Sequence, residues 1–171
     1  SRGANHVIRA TRDTAGKLTI NAPATVRMQT GNIPSGVVMS QDGKRAYVNN
    51  DVGISVTALN LESNTVIQRD IASSQDPEPG TFEHGVLVGK LVFFTALGVA
   101  DDGIFSERIR AIDPLVFRGK ASDNSWSSCA SCHPDGLSDG VTWIFATGPR
   151  QTLPLDAFFA KDNPHDQRVS N

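Results

Sequence analysis

The residues with the clearest chemical potential are two cysteines and a histidine near position 130. Cys129, Cys132 and His133 form the pattern C-x-x-C-H, which is the signature of covalent c-type haem attachment. Two intervening residues let both thiols reach the vinyl groups along one edge of a haem, and the adjacent imidazole can then bind the iron. We therefore expect Cys129 and Cys132 to hold one haem c covalently and His133 to be an axial ligand of its iron.

Three other interpretations of the two cysteines stay open. A thioredoxin-like redox pair would need a βαβ context, which the flanking sequence lacks. A structural zinc site needs two further ligands at suitable spacing, and the remaining histidines, His6, His84 and His165, are not closely paired. A single disulfide, or a pair without chemical function, is the third alternative.

The sixth ligand of the iron is harder to assign. Methionine is a frequent partner of histidine in such sites, but Met28 and Met39 both precede the motif, and the alternating pattern around Met39 predicts a core position. After the motif the conventional strong ligand is His165, which we expect in a loop. The hypothesis is ligation by His133 and His165, against an iron site that is open or filled from outside the chain. For His84 we expect a solvent-exposed or hydrogen-bonded position.

Aromatic residues flank the motif on both sides. Trp143 and Phe145 alternate with polar or small neighbours, which favours an apolar lining on the haem face, and ordinary core packing would give the same pattern. Trp126, just before the motif, is expected either at the haem edge or partly buried.

The first part of the chain, residues 1–75, predicts β-structure. The pair Asp42-Gly43 between β-prone runs at 36–40 and 45–49 is a strong hairpin signal. Two further runs at 54–59 and 65–68 follow, so that four short strands could form one propeller blade.

The segment from Ile33 to Asn50 resembles the repeat of YVTN-type β-propellers. It reads I-P-S-G-V-V-M-S-Q-D-G-K-R-A-Y-V-N-N, against a repeat with P-x-G, then S-x-D-G-K and then Y-V-x-N. A closed propeller needs at least about four blades of about 40 residues each. The resemblance therefore implies a propeller fragment of about one to two blades.

A polar stretch rich in proline, residues 73–81, is the expected boundary between two parts. Residues 81–97 predict a helix, with Thr81 as its N-cap and Gly98 as its stop. Residues 99–125 predict an irregular connection that contains a short helix.

The surroundings of the haem motif resemble the haem segment of the di-haem cytochrome c peroxidase and MauG group. The similar stretches are W-S-S-C-A-S-C-H-P-D-G at 126–136, D-G-V-T-W at 139–143 and G-P-R-Q-T at 148–152. Several members carry YVTN-type repeats before the haem domain, which is the order found here. The resemblance spans residues 85–169 and implies a mainly α-helical cytochrome c domain. The chain departs from the group in an apparent insertion at 99–122 and in lacking the second haem motif.

The resemblance also implies a role for Arg150 and a cellular location. In that group the G-P-R-Q-T segment runs near the haem, where an arginine can neutralise a propionate by a bidentate contact. An ordinary surface arginine is the alternative for Arg150. Covalent haem attachment in bacteria takes place outside the cytoplasm, so the resemblance implies a periplasmic or extracellular protein.

Composition narrows the set of partners. The net charge is −2 and the basic residues are scattered, which argues against nucleic acid, because phosphate binding needs a clustered basic surface. The longest apolar stretch, residues 91–100, is about half of what a membrane span needs. The chain begins without a leader-like segment, so we expect a leader and preceding sequence outside it.

These patterns together predict an α+β protein. A β-propeller fragment over residues 1–75 would precede a mainly α-helical cytochrome c domain over residues 81–171, which ends early. We expect a one-electron transfer relay in a periplasmic redox system, carrying one covalent haem c. The alternatives are a subunit or fragment of a peroxidase-like or MauG-like haem enzyme, and a binding or structural module. The expected partner is a redox protein or partner subunit, and the rest of a longer chain or another subunit would complete the fold.

Overall fold

The computed structural model describes residues 1–20, 27–95, 104–113, 122 and 127–155. Two α-helices lie in these ranges, α1 (Phe82–Phe94) and α2 (Cys129–Cys132), with 3₁₀ turns at Arg2–Ala4, Ile104–Ser106 and Pro134–Gly136. The strands in chain order are β1 (His6–Ile8), β2 (Thr11–Arg12), β3 (Leu18–Thr19), β4 (Arg27–Gln29), β5 (Pro34–Met39), β6 (Arg45–Asn50), β7 (Ser55–Asn60), β8 (Thr65–Ala72), β9 (Thr142–Phe145) and β10 (Gly148–Gln151).

The largest sheet is an antiparallel meander of β5, β6, β7 and β8 in chain order. The hairpin between β5 and β6 is confirmed at the predicted Asp42-Gly43 turn, where Asp42 Oδ1 accepts the backbone N–H of Lys44 at 3.0 Å and Gly43 has a φ of 68°. Along β6 buried and exposed residues alternate. The buried side chains lie on the two central strands, β6 and β7, while β5 and β8 are exposed along nearly their whole length. The core at the central strands contains Met28 together with Ala46, Val48 and Leu59.

Helix α1 begins at the predicted cap and connects the sheet to the second half of the chain. Thr81 Oγ1 accepts the backbone N–H of His84 at 3.3 Å, which confirms Thr81 as the N-cap. The helix ends at Phe94, and the expected stop at Gly98 lies outside the described residues. Its buried face contributes to a second core cluster made of Ile33, Val52, Val88, Leu91, Ile104, Ile109 and Ile112. No helix in the described ranges is long and apolar enough to cross a membrane.

The β-propeller part of the predicted fold class is wrong for the described chain. Only one sheet there has four strands, and the other strands pair as the two-stranded sheets β1–β4, β2–β3 and β9–β10. Strands β2 and β3 are two residues long, which is too short to build a further blade. The segment from Ile33 to Asn50 determines the β5–β6 hairpin through its Asp42-Gly43 turn. This local signal does not indicate whether further sheets assemble into a closed propeller.

The prediction of a mainly α-helical cytochrome c domain over residues 81–171 is also wrong. In the described part of that range α1 has 13 residues and α2 has four, and the chain after the haem motif continues as the β9–β10 hairpin. The β-branched and aromatic run T-W-I-F at 142–145 favours a strand. Gly148, with a φ of 107°, and the following Pro149 both disfavour a helix.

Candidate haem-attachment site

The two cysteines lie on one short helix that is fixed by its own serines. The backbone N–H of Ser128, the N-cap residue of α2, donates to Ser131 Oγ at 3.0 Å. Cys129 and Cys132 are three positions apart, so they share a helix face, and such residues hold their Cβ atoms about 5–6 Å apart. Both thiols are free, with Cys129 exposed and Cys132 half-buried. This spacing fits two bonds to one edge of the same macrocycle.

His133 is the C-cap residue of α2 and directly follows Cys132. Its backbone N–H donates to the carbonyl oxygen of Cys129 at 3.0 Å, and its φ and ψ of −114° and 68° take the chain out of the helix. The Nδ1 atom is buried and has no hydrogen-bond partner in the described ranges. An imidazole directly after two thiols on one helix face is a donor set that fits covalent haem attachment.

A tight turn follows the histidine. The N–H of Gly136 donates to the carbonyl oxygen of His133 at 3.0 Å, and Asp135 and Gly136 have positive φ values of 52° and 84°. Asp135 accepts an ion-pair hydrogen bond from Arg2 Nη1 at 2.6 Å. The N–H of Leu155 also returns to the carbonyl oxygen of Gly136, at 2.6 Å. Contacts with Arg2, near the start of the described residues, and with Leu155, at their end, thus hold the turn.

A cleft of about 330 Å³ lies on the other side of α2. Its lining residues are Arg2, Gly3, Phe94, Ser128, Ala130, Ser131, Pro134 and Asp135. Neither thiol nor the imidazole lines this cleft, because positions 130 and 131 face away from the cysteine face of the helix. The cysteine face of α2 and this cleft therefore lie on different sides of the helix.

Trp143 and Arg150 are cross-strand neighbours in the β9–β10 hairpin. Trp143 is half-buried and its Nε1 donates to Asp139 Oδ2 at 2.8 Å, while Asp139 Oδ1 accepts the N–H of Val141 at 3.0 Å. These contacts, the Val141 hydrogen bond first, lower the pKa of Asp139 below its ordinary value. Arg150 is exposed and its Nη1 donates to the carbonyl oxygen of Pro149 at 2.9 Å. The haem-lining role of Trp143 and the propionate contact of Arg150 stay predictions.

The other candidate iron ligands lie in different surroundings. Met28 is buried in the sheet core with 2% exposure. Met39 is 66% exposed on the edge strand β5, so the prediction of a core position for Met39 is wrong. His84 is fully buried and its Nε2 contacts the carbonyl oxygen of Glu107 at 2.7 Å, which confirms the hydrogen-bonded alternative. His165 lies outside the described residues, as does Trp126.

The contact between Arg2 and Asp135 could not be found from the sequence. The two residues are 133 positions apart, and an isolated arginine near a chain start has no distinguishing pattern. The turn itself had a signal, because Asp-Gly pairs favour positive φ.

No cluster of three or more His, Cys, Asp or Glu side chains that could hold a metal ion is found in the described part of the chain. Comparison of the chain with known protein families, with curated proteins and with solved structures finds no match.

Proposed function

We propose that Cys129 and Cys132 hold one haem c through thioether bonds and that His133 is an axial ligand of its iron. The arrangement at α2 carries this proposal: two free thiols share a helix face, and the histidine follows directly at the end of the helix. Each S–H group adds across one vinyl double bond, with its proton going to the vinyl carbon, so no leaving group or oxidant is required. The C-x-x-C-H spacing is the known signature of this chemistry.

The proposed role is one-electron transfer between a redox enzyme and another carrier. When bound, the haem supplies an iron that alternates between the ferric and ferrous states. The chain would hold this group at two sulfurs, and the backbone hydrogen bond to Cys129 holds the main chain of His133 at the end of α2. Cys129 is exposed, so a haem edge bonded to it would be open to a partner protein, which supports a relay. The location we propose is periplasmic or extracellular, and the partner a redox protein or partner subunit.

The test is production of the chain in cells that attach haem c, followed by extraction with acidified acetone. We expect the haem to stay with the protein, and the double variant Cys129→Ala/Cys132→Ala to contain no covalent haem. His133→Ala should keep the thioether-linked porphyrin but change the Soret and α/β bands. His6→Ala is the matched control, since His6 is a half-buried histidine on β1. Haem that is fully extracted from the wild type would refute the proposal.

A second candidate function is a peroxidase-like or MauG-like haem enzyme with an open iron position. Two observations favour it: Met28 is packed in the sheet core, and His84 is hydrogen-bonded to Glu107. Neither side chain is therefore available as the sixth iron ligand without rearrangement. The sixth position is then left to the exposed Met39, to His165 or to a small molecule. Hydrogen peroxide turnover by the haem-loaded protein would favour this candidate over the relay.

A further inference from the structure

We infer that Arg2 is a positioning residue for His133, acting through Asp135 and Phe94. This inference rests on the proposed haem attachment. Arg2 joins the end of α1 to the turn that follows the iron ligand, and so limits the positions that the imidazole can take relative to the two thioether bonds.

The guanidinium of Arg2 contacts both elements. Its Nη1 donates to Asp135 Oδ1 at 2.6 Å, and its central carbon lies 5.1 Å from the centre of the Phe94 ring. A planar guanidinium can pair with a carboxylate and lie over an aromatic ring simultaneously, which a lysine ammonium does less well. The Arg2 and Asp135 side chains are 46% and 70% exposed. The ion pair alone therefore stabilises the fold little, and its effect should be on position.

Asp135 transmits this contact to the iron ligand through a short backbone path. Asp135 is two residues after His133 and has a φ of 52°, and the next residue closes the turn onto the carbonyl oxygen of His133 at 3.0 Å. A carboxylate held by Arg2 favours this conformation of the turn. Without Arg2 the turn can relax, and the peptide groups that flank the imidazole move with it.

Packing and hydrogen bonds hold the N-terminal side of the contact against the core. An added Cβ at Gly3 would lie 2.9 Å from the carbonyl oxygen of Phe94, so the backbone at Gly3 packs directly against the end of α1. The buried side chain of Asn5 donates to Asn32 Oδ1 at 3.0 Å and accepts the N–H of Ile33 at 2.9 Å. Arg2 is thus presented from a segment that is tied to the core of the protein.

The experiment compares the haem-loaded wild type with Arg2→Gln, Asp135→Asn and the double variant. Asparagine tolerates positive φ, so Asp135→Asn removes the charge without straining the turn. We expect each single variant to broaden or split the ferric haem signal in electron paramagnetic resonance, and the double variant to add nothing further. Arg2→Lys should restore the wild-type signal in part. The matched control is Arg108→Gln, which breaks the exposed Arg108–Glu78 pair of 2.8 and 2.9 Å, a pair that involves neither α2 nor the turn after it.

A purely electrostatic role of Arg2 predicts a different result. Loss of the cation and loss of the anion would then shift the reduction potential in opposite directions and leave the signal shape unchanged, which would overturn the inference. Signals in Arg2→Gln and Asp135→Asn that match Arg108→Gln would overturn it as well, while the proposed haem attachment would stand. A wild type without covalent haem would overturn both.

Discussion

The backbone N–H of His133 donates to the carbonyl oxygen of Cys129 at 3.0 Å, so the proposed iron ligand closes the helical turn that carries the two thiols. Cys129 and His133 are therefore parts of one hydrogen-bonded unit. A change that loosens α2 should affect haem attachment as well as stability.

Ser131→Ala tests this coupling. The variant removes the acceptor of the Ser128 N–H, and we expect a loss of about 0.5–1.5 kcal/mol in the free energy of unfolding. It should also lower the fraction of chains that carry covalent haem. Ser138→Ala is the control, since Ser138 Oγ accepts the N–H of Gly140 at 3.1 Å in the loop after the motif. Denaturant unfolding and haem-to-protein ratios measure both effects, and equal haem content in the two variants would contradict the coupling.

The carboxyl group of Asp139 should make the β9–β10 hairpin sensitive to acid. Hydrogen bonds from Val141 and Trp143 lower its pKa below the ordinary value of 3.8. A carboxyl whose pKa is lowered by folding contributes stability that is complete above its unfolded pKa and is lost as the pH falls through its folded pKa. We expect the hairpin to loosen only below pH 3.8.

The indole N–H signal of Trp143 in nuclear magnetic resonance reports this change, in a Trp126→Phe background that removes the second tryptophan. The transition should be absent in Asp139→Asn, whose side chain does not titrate. A transition centred above the ordinary aspartate value would show that the two hydrogen bonds do not favour the ionised form.

Local signals in the sequence predicted local structure. The Asp42-Gly43 turn and the Thr81 cap were found because a few adjacent residues determine each of them. The exposure of Met39 was not predicted. An alternating pattern indicates which side chains share one face of a strand, but not whether another element covers that face. Met39 pairs with Ala46, which is only 2% exposed, yet Met39 lies on the edge strand and is 66% exposed.

The C-x-x-C-H pattern makes Cys129, Cys132 and His133 the candidate site, because haem attachment requires those residue types at that spacing. That the three residues bind haem stays a prediction, and the contact that supports the turn after them has no such pattern. The ion pair of Arg2 with Asp135 joins residues 133 positions apart and depends on how α1 and α2 pack. The sequence around Arg2 and the sequence around Asp135 contain no signal for this ion pair.

Gly89→Ala should stabilise α1. Gly89 lies inside the helix, and an added Cβ there has no atom within 4 Å. Alanine loses less backbone entropy on folding than glycine, so we expect a gain of about 0.5–1 kcal/mol. Thermal and denaturant unfolding measure the gain. Gly80→Ala is the control with the opposite sign, because Gly80 has a φ of 84° that alanine adopts only with strain.

Gly3→Ala should destabilise the protein and disturb the haem signal together. The new methyl group would lie 2.9 Å from the carbonyl oxygen of Phe94, a backbone atom at the end of α1 that cannot rotate away. Overpacking of this kind costs about 1–3 kcal/mol. Gly36→Ala is the matched control, since nothing lies within 4 Å of its added Cβ. A Gly3→Ala protein as stable as the control would indicate that the N-terminal turn does not pack against α1.

The sixth iron ligand can be identified by carbon monoxide binding to the reduced protein. Met28 is packed in the sheet core and His84 is hydrogen-bonded to Glu107, so neither is available without rearrangement. If His165 binds the iron, carbon monoxide must displace an imidazole, and binding should be slow in the wild type and several-fold faster in His165→Ala. His6→Ala should bind at the wild-type rate. Fast binding in the wild type that His165→Ala leaves unchanged would eliminate His165, and an iron position open to small molecules would then favour the enzyme over the relay.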